Sequence, residues 1–135
     1  MANKFIVDAH ALIWYLEGNP RLGKAAKDVL DDSLSRLVLP VIALAEVIFV
    51  VEKGKTLIPD AATLINRVQN DVRFEIHSLT FQILQTGLNL TAIPEMHDRL
   101  IVATGIYLQN SGETVKILTK DNEIILSALL PVVWS

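Results

Sequence analysis

The sequence predicts an α/β sandwich: a mainly parallel central sheet of about five strands with helices on both faces. Three observations carry that prediction. Short apolar, partly β-branched runs recur along the chain and are too brief to be helices. Longer stretches with helical spacing separate them, so successive strands are joined by crossovers, which makes the pairing parallel and covers both sides of the sheet. Turn and cap residues stand at the junctions.

Phe5-Ile6-Val7 is the first strand, and residues 11–16 form the helix after it. Asn19-Pro20 interrupts the chain before a second helix over residues 24–30. Leu37-Val38-Leu39 is the next strand and leads into a helix over residues 41–53, which Gly54 ends. After Pro59, Asp60 is placed to cap a helix over residues 61–68, and Thr80 to cap one over residues 81–88 that follows the strand at residues 73–77. Pro94 precedes a helix over residues 98–108, which Ser111-Gly112 closes. Val115-Lys116-Ile117-Leu118 is the fourth strand, residues 123–129 the last helix, and Val132-Val133-Trp134 the fifth strand.

At 135 residues, 51% hydrophobic and 20% charged, the chain suits one domain over residues 1–135 and is too short for two ordinary ones. It contains no cysteine, which excludes disulfide scaffolds, thiolate metal sites and cysteine nucleophiles. Met1-Ala2-Asn3-Lys4 and the brief apolar run after it reach Asp8 too soon for the apolar part of a secretory leader, so a cytoplasmic protein is expected. The apolar stretch from Leu37 to Val51 is shorter than the ~18–20 residues a bilayer span needs, and it carries Pro40 and Glu46. Twelve Lys and Arg against fifteen Asp and Glu give a formal charge of −3, which argues against a broad basic face for nucleic acid. A polyanionic ligand would need positive charge from another source.

In open parallel sheets, ligands bind beyond the carboxyl ends of the strands. Asp8 directly follows the first strand and Asp121 the fourth, so parallel strands bring both acids to one edge. Each is also placed to cap the helix after it. Glu46 is the only charged residue between Arg36 and Glu52. Its helical neighbours Ile42, Ala43, Phe49 and Val50 are apolar, so it calls for a compensating partner, unless it lies on a narrow solvent stripe. Asp98 sits at or inside a helix start, where the macrodipole favours acids. Four carboxylates without sulfur suit a hard divalent ion such as Mg²⁺ or Mn²⁺. Such an ion relieves their repulsion, activates water and neutralises charge on a phosphodiester.

Residues 6–14 (Ile6 to Trp14, containing Asp8), Pro40 to Glu46, His97-Asp98-Arg99-Leu100-Ile101-Val102-Ala103-Thr104 and Leu118-Thr119-Lys120-Asp121 together resemble the ordered acidic signature of PIN-domain ribonucleases. Among these, the toxin subunits of VapBC toxin-antitoxin systems are the nearest resemblance. It covers nearly the whole chain and implies a PIN-like three-layer sandwich. It also implies a metal-dependent endoribonuclease in which Asp8, Glu46, Asp98 and Asp121 surround one or two Mg²⁺ or Mn²⁺ ions. By the family's pattern Asp8 and Asp98 are direct ligands, with Glu46 and Asp121 completing the site directly or through water. The chain departs from the pattern at Ala9-His10, where family members often carry a hydroxyl residue beside the first acid.

Around these acids, His10 is a candidate for a supporting or substrate role, and Arg99 and Lys120 for gripping phosphate or neutralising neighbouring carboxylates. Thr119 is a candidate to orient Asp121. His77 reads as structural, and Trp14 as core rather than as a stacking platform. The apolar excess of residues 41–51 and 61–68 suggests a homodimer. The toxin resemblance implies an RNA substrate and a small antitoxin that inserts an Arg- or Lys-bearing segment into the acidic site. An aspartyl phosphotransferase would want a second Asp where His10 stands. An inactive PIN-like binding module, or a housekeeping PIN nuclease without an antitoxin, is the remaining alternative.

Overall fold

A computed structural model describes residues 3–135; Met1 and Ala2, which head the run that argues against a secretory leader, lie outside them. The chain runs β1 (Asn3–Val7), α1 (Ala9–Glu17), α2 (Lys24–Asp31), β2 (Arg36–Pro40), α3 (Val41–Glu52), α4 (Ala61–Asn70) and β3 (Phe74–His77). It continues through α5 (Phe81–Leu88), α6 (Met96–Asn110), β4 (Thr114–Leu118), α7 (Asn122–Ser127) and β5 (Val132–Val133). The five strands form one sheet in the order β3-β2-β1-β4-β5, and every pairing is parallel.

This order explains where the helices lie. From β1 the chain moves outward through β2 to β3, then returns past β1 to β4 and β5. With right-handed crossovers the two directions of travel place α1–α4 on one face and α5–α7 on the other. The reversal falls at the boundary between β1 and β4, the topological switch point at which open parallel sheets form their ligand crevice.

The central strands are buried on both faces: Ile6, Val7, Leu37, Val38, Leu39, Ile117 and Leu118 are at most 1% exposed. That is why their sequences read as unbroken apolar runs rather than alternating ones. β3 and β5 lie at the edges and are only half-buried. Helix α6 lies so close to the sheet that a Cβ on Gly105 would fall 2.5 Å from Leu130 Cδ1 and 3.2 Å from Ile6 Cγ1. Among the described residues no helix is long and apolar enough to cross a membrane.

Several boundaries differ from the sequence expectation, each for a physical reason. β3 starts at Phe74 rather than Arg73, whose carbonyl still accepts from Leu37 N at 2.9 Å while its guanidinium binds Asp71 and the carbonyls of Leu30 and Asp32. Trp134 lies beyond β5, where its carbonyl accepts from Ala26 N at 3.0 Å and its ring meets Trp14 edge-on at 5.9 Å. Helix α6 starts at Met96 rather than Asp98, with Glu95 as its N-cap. The expected caps Asp60 and Thr80 accept from Thr63 N at 2.7 Å and Ile83 N at 3.2 Å.

Candidate functional site

The carboxyl edge of the sheet gathers the acids. Asp8 follows β1 and caps α1, accepting from Ala9 N at 2.7 Å through Oδ1. Its other oxygen, Oδ2, accepts a 2.6 Å hydrogen bond from the Thr119 hydroxyl, which comes from the end of β4 across the switch point. Asp8 is only 7% exposed and Thr119 1%. Burial pushes the Asp8 carboxyl up and the charge of Asp121 pushes the same way, while the bonds from Thr119 and Ala9 pull it down.

Thr119 does more than the expected local orientation of Asp121. Its oxygen accepts from Asp121 N at 3.1 Å while its proton goes to Asp8, so one hydroxyl ties two acids from two loops together. The sequence departure at Ala9-His10 is thereby made good, since a hydroxyl reaches Asp8 from β4 rather than from the adjacent position. Asp121 is the N-cap of α7, with Oδ1 accepting from Glu123 N at 2.9 Å and Ile124 N at 3.2 Å. Its Oδ2 makes no hydrogen bond among the described residues. Capping and edge placement are therefore compatible for both Asp8 and Asp121.

Glu46 reaches the same region from α3, which packs on both α1 and α6. It is half-buried, and its Oε1 is fully buried without a hydrogen-bond partner. Leaving a buried polar atom unsatisfied costs about 1–3 kcal/mol, and more for a charged one. Burial first, then the charges of Asp8 and Glu95, raise this carboxyl to about 7. Glu46 lies at the margin of the solvent-facing side of α3: contrary to the expectation for its neighbours, Phe49 is 60% exposed and Ile42 and Val50 are half-buried, while Ala43 is buried. Asp98, the third residue of α6, is likewise raised to about 7, by burial and then by Asp121, Asp8, Glu95 and Glu46. Asp98 alone feels the charge of all three other predicted acids.

Glu95 went unnoticed in the sequence. Its charge raises both Glu46 and Asp98, and it lies three positions before Asp98, at the cap of the same helix. His97 Nδ1 lies 3.3 Å from Glu95 Oε1.

The flanking candidates divide. Lys120 Nζ sits 4.8 Å above the Trp14 ring, and the exposed His10 ring lies 5.4 Å from the same indole. Asp8, His10, Trp14, Lys120 and Asp121 surround one cavity of about 290 Å³. Trp14 is 8% exposed and packed on Trp134, in keeping with a core residue. Arg99 turns elsewhere, with Nε donating to the Ile93 carbonyl at 2.6 Å and no ion pair to Asp98 among the described residues. His77 stands in β3, its ring edge-on to Tyr107 at 5.8 Å.

The donor set fits a hard divalent cation. It is all oxygen, it repels itself, and it includes one buried oxygen with no partner. It is not a closed cage: among the described residues no three His, Asp or Glu side chains stand close enough to hold one ion together. An ion that keeps most of its water and takes one or two carboxylates directly needs no such cage.

The sequence matches the PIN domain family over residues 5–128. No curated protein matches it. Among solved structures, it is similar to VapBC2 from Rickettsia felis bound to a DNA fragment from their promoter, with a TM-score of 0.72 at 15% identity over 98% of this chain and 99% of that one. A toxin-antitoxin complex from Klebsiella pneumoniae gives a TM-score of 0.61 at 17% identity, covering 89% of this chain and 87% of that one. FitAB bound to a DNA fragment gives 0.63 at 16%, covering 96% and 92%. At these identities the likeness is one of fold.

Proposed function

Because this chain belongs to the PIN domain family, we propose that it is a metal-dependent endoribonuclease and the toxin of a toxin-antitoxin pair. The observation that carries the proposal is the set of uncompensated acids at the switch point. Glu46 and Asp98 are held near 7 by burial and by neighbouring acids, an arrangement that costs stability and is expected where a site is tuned for chemistry.

Asp8 and Asp98 would hold Mg²⁺ or Mn²⁺, with Glu46 and Asp121 completing the set. When bound, the ion supplies Lewis-acid stabilisation of the charged phosphodiester transition state and makes water a competent nucleophile near neutral pH. The chain's own residues perform the rest. Thr119 fixes the Asp8 carboxylate in one rotamer, so no reorganisation is needed at the moment of reaction. Glu46, which would complete the set beside Asp8 and Asp98, is the acid proposed to take up the proton released as water attacks. Single-stranded or looped RNA is the proposed substrate class, because its bases and backbone are open to a crevice of this kind.

A nuclease acting inside the cytoplasm needs restraint. The acidic crevice suits an antitoxin segment carrying Arg or Lys, which would pair with Asp8, Glu46, Asp98 and Asp121. Beside Glu46, an apolar cavity of about 400 Å³ lined by Ile42, Ala45, Phe49 and Val50 offers such a segment a place for apolar side chains. The structural neighbours named above include toxin-antitoxin complexes of the same fold, which supports this reading. Exposed Val41 and Phe49 on α3 are in keeping with a homodimer.

The test is cleavage of RNA by purified protein with Mg²⁺ or Mn²⁺. Cleavage should stop in excess chelator and in Asp98→Asn, and expression of the wild-type chain alone should arrest growth. Undiminished cleavage in chelator would refute the metal-dependent reading.

A further inference from the structure

A second cavity, of about 440 Å³, adjoins the acidic one and shares His10 and Trp14 with it. It runs between α1 and the end of α3, bounded by Glu17, Arg21, Val50 and Lys55. Its charges are unevenly committed. Glu17 is spent on the chain itself, accepting from Asn19 Nδ2 at 3.2 Å and from Leu57 N at 3.0 Å. Arg21 and Lys55 form no ion pair among the described residues and are exposed. Elsewhere many cations are engaged: Lys4, Lys24, Lys27, Arg36 and Arg73 all have carboxylate partners. Arg21 and Lys55 therefore stand unpaired on the path that leads away from the acids, with Lys120 at its start; Lys53, Arg67, Arg99 and Lys116 also lack a carboxylate partner among the described residues but do not line it.

We propose that this α1–α3 groove is the track for the RNA strand flanking the cleaved bond, with Arg21 and Lys55 on its phosphates and Lys120 and His10 at its junction with the acidic crevice. The proposal rests on the ribonuclease reading. Trp14 acts as the fixed floor of that junction. One indole supports both the Lys120 ammonium and the His10 ring, which holds the cation beside the acids without letting it collapse onto Asp8 or Asp121. The His10 ring, exposed where Trp14 is covered, is the surface left for an unpaired base. The positive charge that the composition denies to the whole molecule is supplied locally, where a strand leaves the crevice.

The test is equilibrium binding of a fluorescent single-stranded RNA dodecamer and of a trinucleotide, in chelator so that neither is cut. Wild type is compared with the double variant Arg21→Glu/Lys55→Glu, and circular dichroism checks that both are folded. The double variant should bind the dodecamer at least about tenfold more weakly and with a salt slope shallower by about 1.4, two phosphate contacts' worth. Its trinucleotide affinity should be unchanged, and Arg21→Lys/Lys55→Arg should bind as wild type. Dodecamer affinity within about twofold of wild type would overturn the proposal. So would loss of affinity for a glutamate-rich peptide with RNA binding intact, since the groove would then serve a protein. Wild type that binds RNA but never cuts it with Mn²⁺ would refute the nuclease reading instead, and the binding comparison would still decide the groove.

Discussion

The two ends of the sheet treat charge in opposite ways. At the amino end, Lys4 is 9% exposed, yet its ammonium lies 3.5 Å from Glu75 and 3.6 Å from Glu113, and Arg36 approaches Glu113 at 3.9 Å. At the carboxyl end, Asp8, Glu46, Asp98 and Asp121 form no ion pair with Lys or Arg among the described residues, and burial and neighbouring acids raise Glu46 and Asp98 to about 7. A chain that neutralises a buried charge at one end is able to do so at the other. That it does not is in keeping with the proposed site, where compensation would come from a bound cation.

The largest effect expected from breaking this contrast is on activity. Asp8→Asn or Asp98→Asn should lower RNA cleavage by about 100-fold or more, while thermal melts show a fold as stable as wild type or more so, since each change removes a charge from a repelling set. Thr119→Val should cost about 10- to 100-fold, because the neighbour that fixes Asp8 is lost, and Thr119→Ser should restore most of it. A Ser variant no better than Val would show that the hydroxyl is not what matters.

At the amino end the effect should fall on stability alone. Lys4→Met leaves Glu113 half-buried with a weaker set of cations and should cost about 1–3 kcal/mol in urea unfolding. Cleavage per folded molecule should not change, and a loss of activity there would erase the contrast between the two ends.

A smaller effect concerns pH. Glu46 and Asp98 titrate near 7 when folded, against ordinary values of 4.5 and 3.8. Between those limits the folded state binds more protons than the unfolded one, so their contribution makes stability fall as pH rises from about 4 to about 7. In chelator the melting temperature should therefore be lower at pH 8 than at pH 5.5, and an excess of divalent cation should reverse much of the loss at pH 8. A melting temperature that rises over this interval in chelator would contradict the buried, uncompensated state of these two acids.

Much of this was legible in the sequence because it was local. Fully buried parallel strands leave unbroken apolar runs, so β1, β2 and β4 announce themselves, and the residue after each strand is at the carboxyl edge by construction. Glu46 was conspicuous because nothing else charged lies near it in the sequence. What escaped notice was tertiary. The Thr119–Asp8 bond joins residues 111 positions apart, and no local spacing indicates that the hydroxyl turns toward β1. Arg99 borders Asp98 in sequence, yet its guanidinium is drawn to the Ile93 carbonyl, a loop contact that a linear reading cannot weigh. The exposure of Phe49 depends on which helices flank α3, and periodicity alone does not say. Glu95 stands at the cap position of α6 without a capping bond, and nothing in its local sequence indicates that its charge reaches Glu46 and Asp98.

The central claim is that the carboxyl-edge acids are held apart, protonated in part, for a divalent cation. Calorimetric titration of Mn²⁺ into the metal-free protein at mildly acidic pH, in buffers of different ionisation enthalpy, tests it most directly. Binding accompanied by net release of protons, as Glu46 and Asp98 ionise, and lost in Asp98→Asn, is the result expected. No binding, or binding undiminished in Asp98→Asn and without proton release, would contradict it.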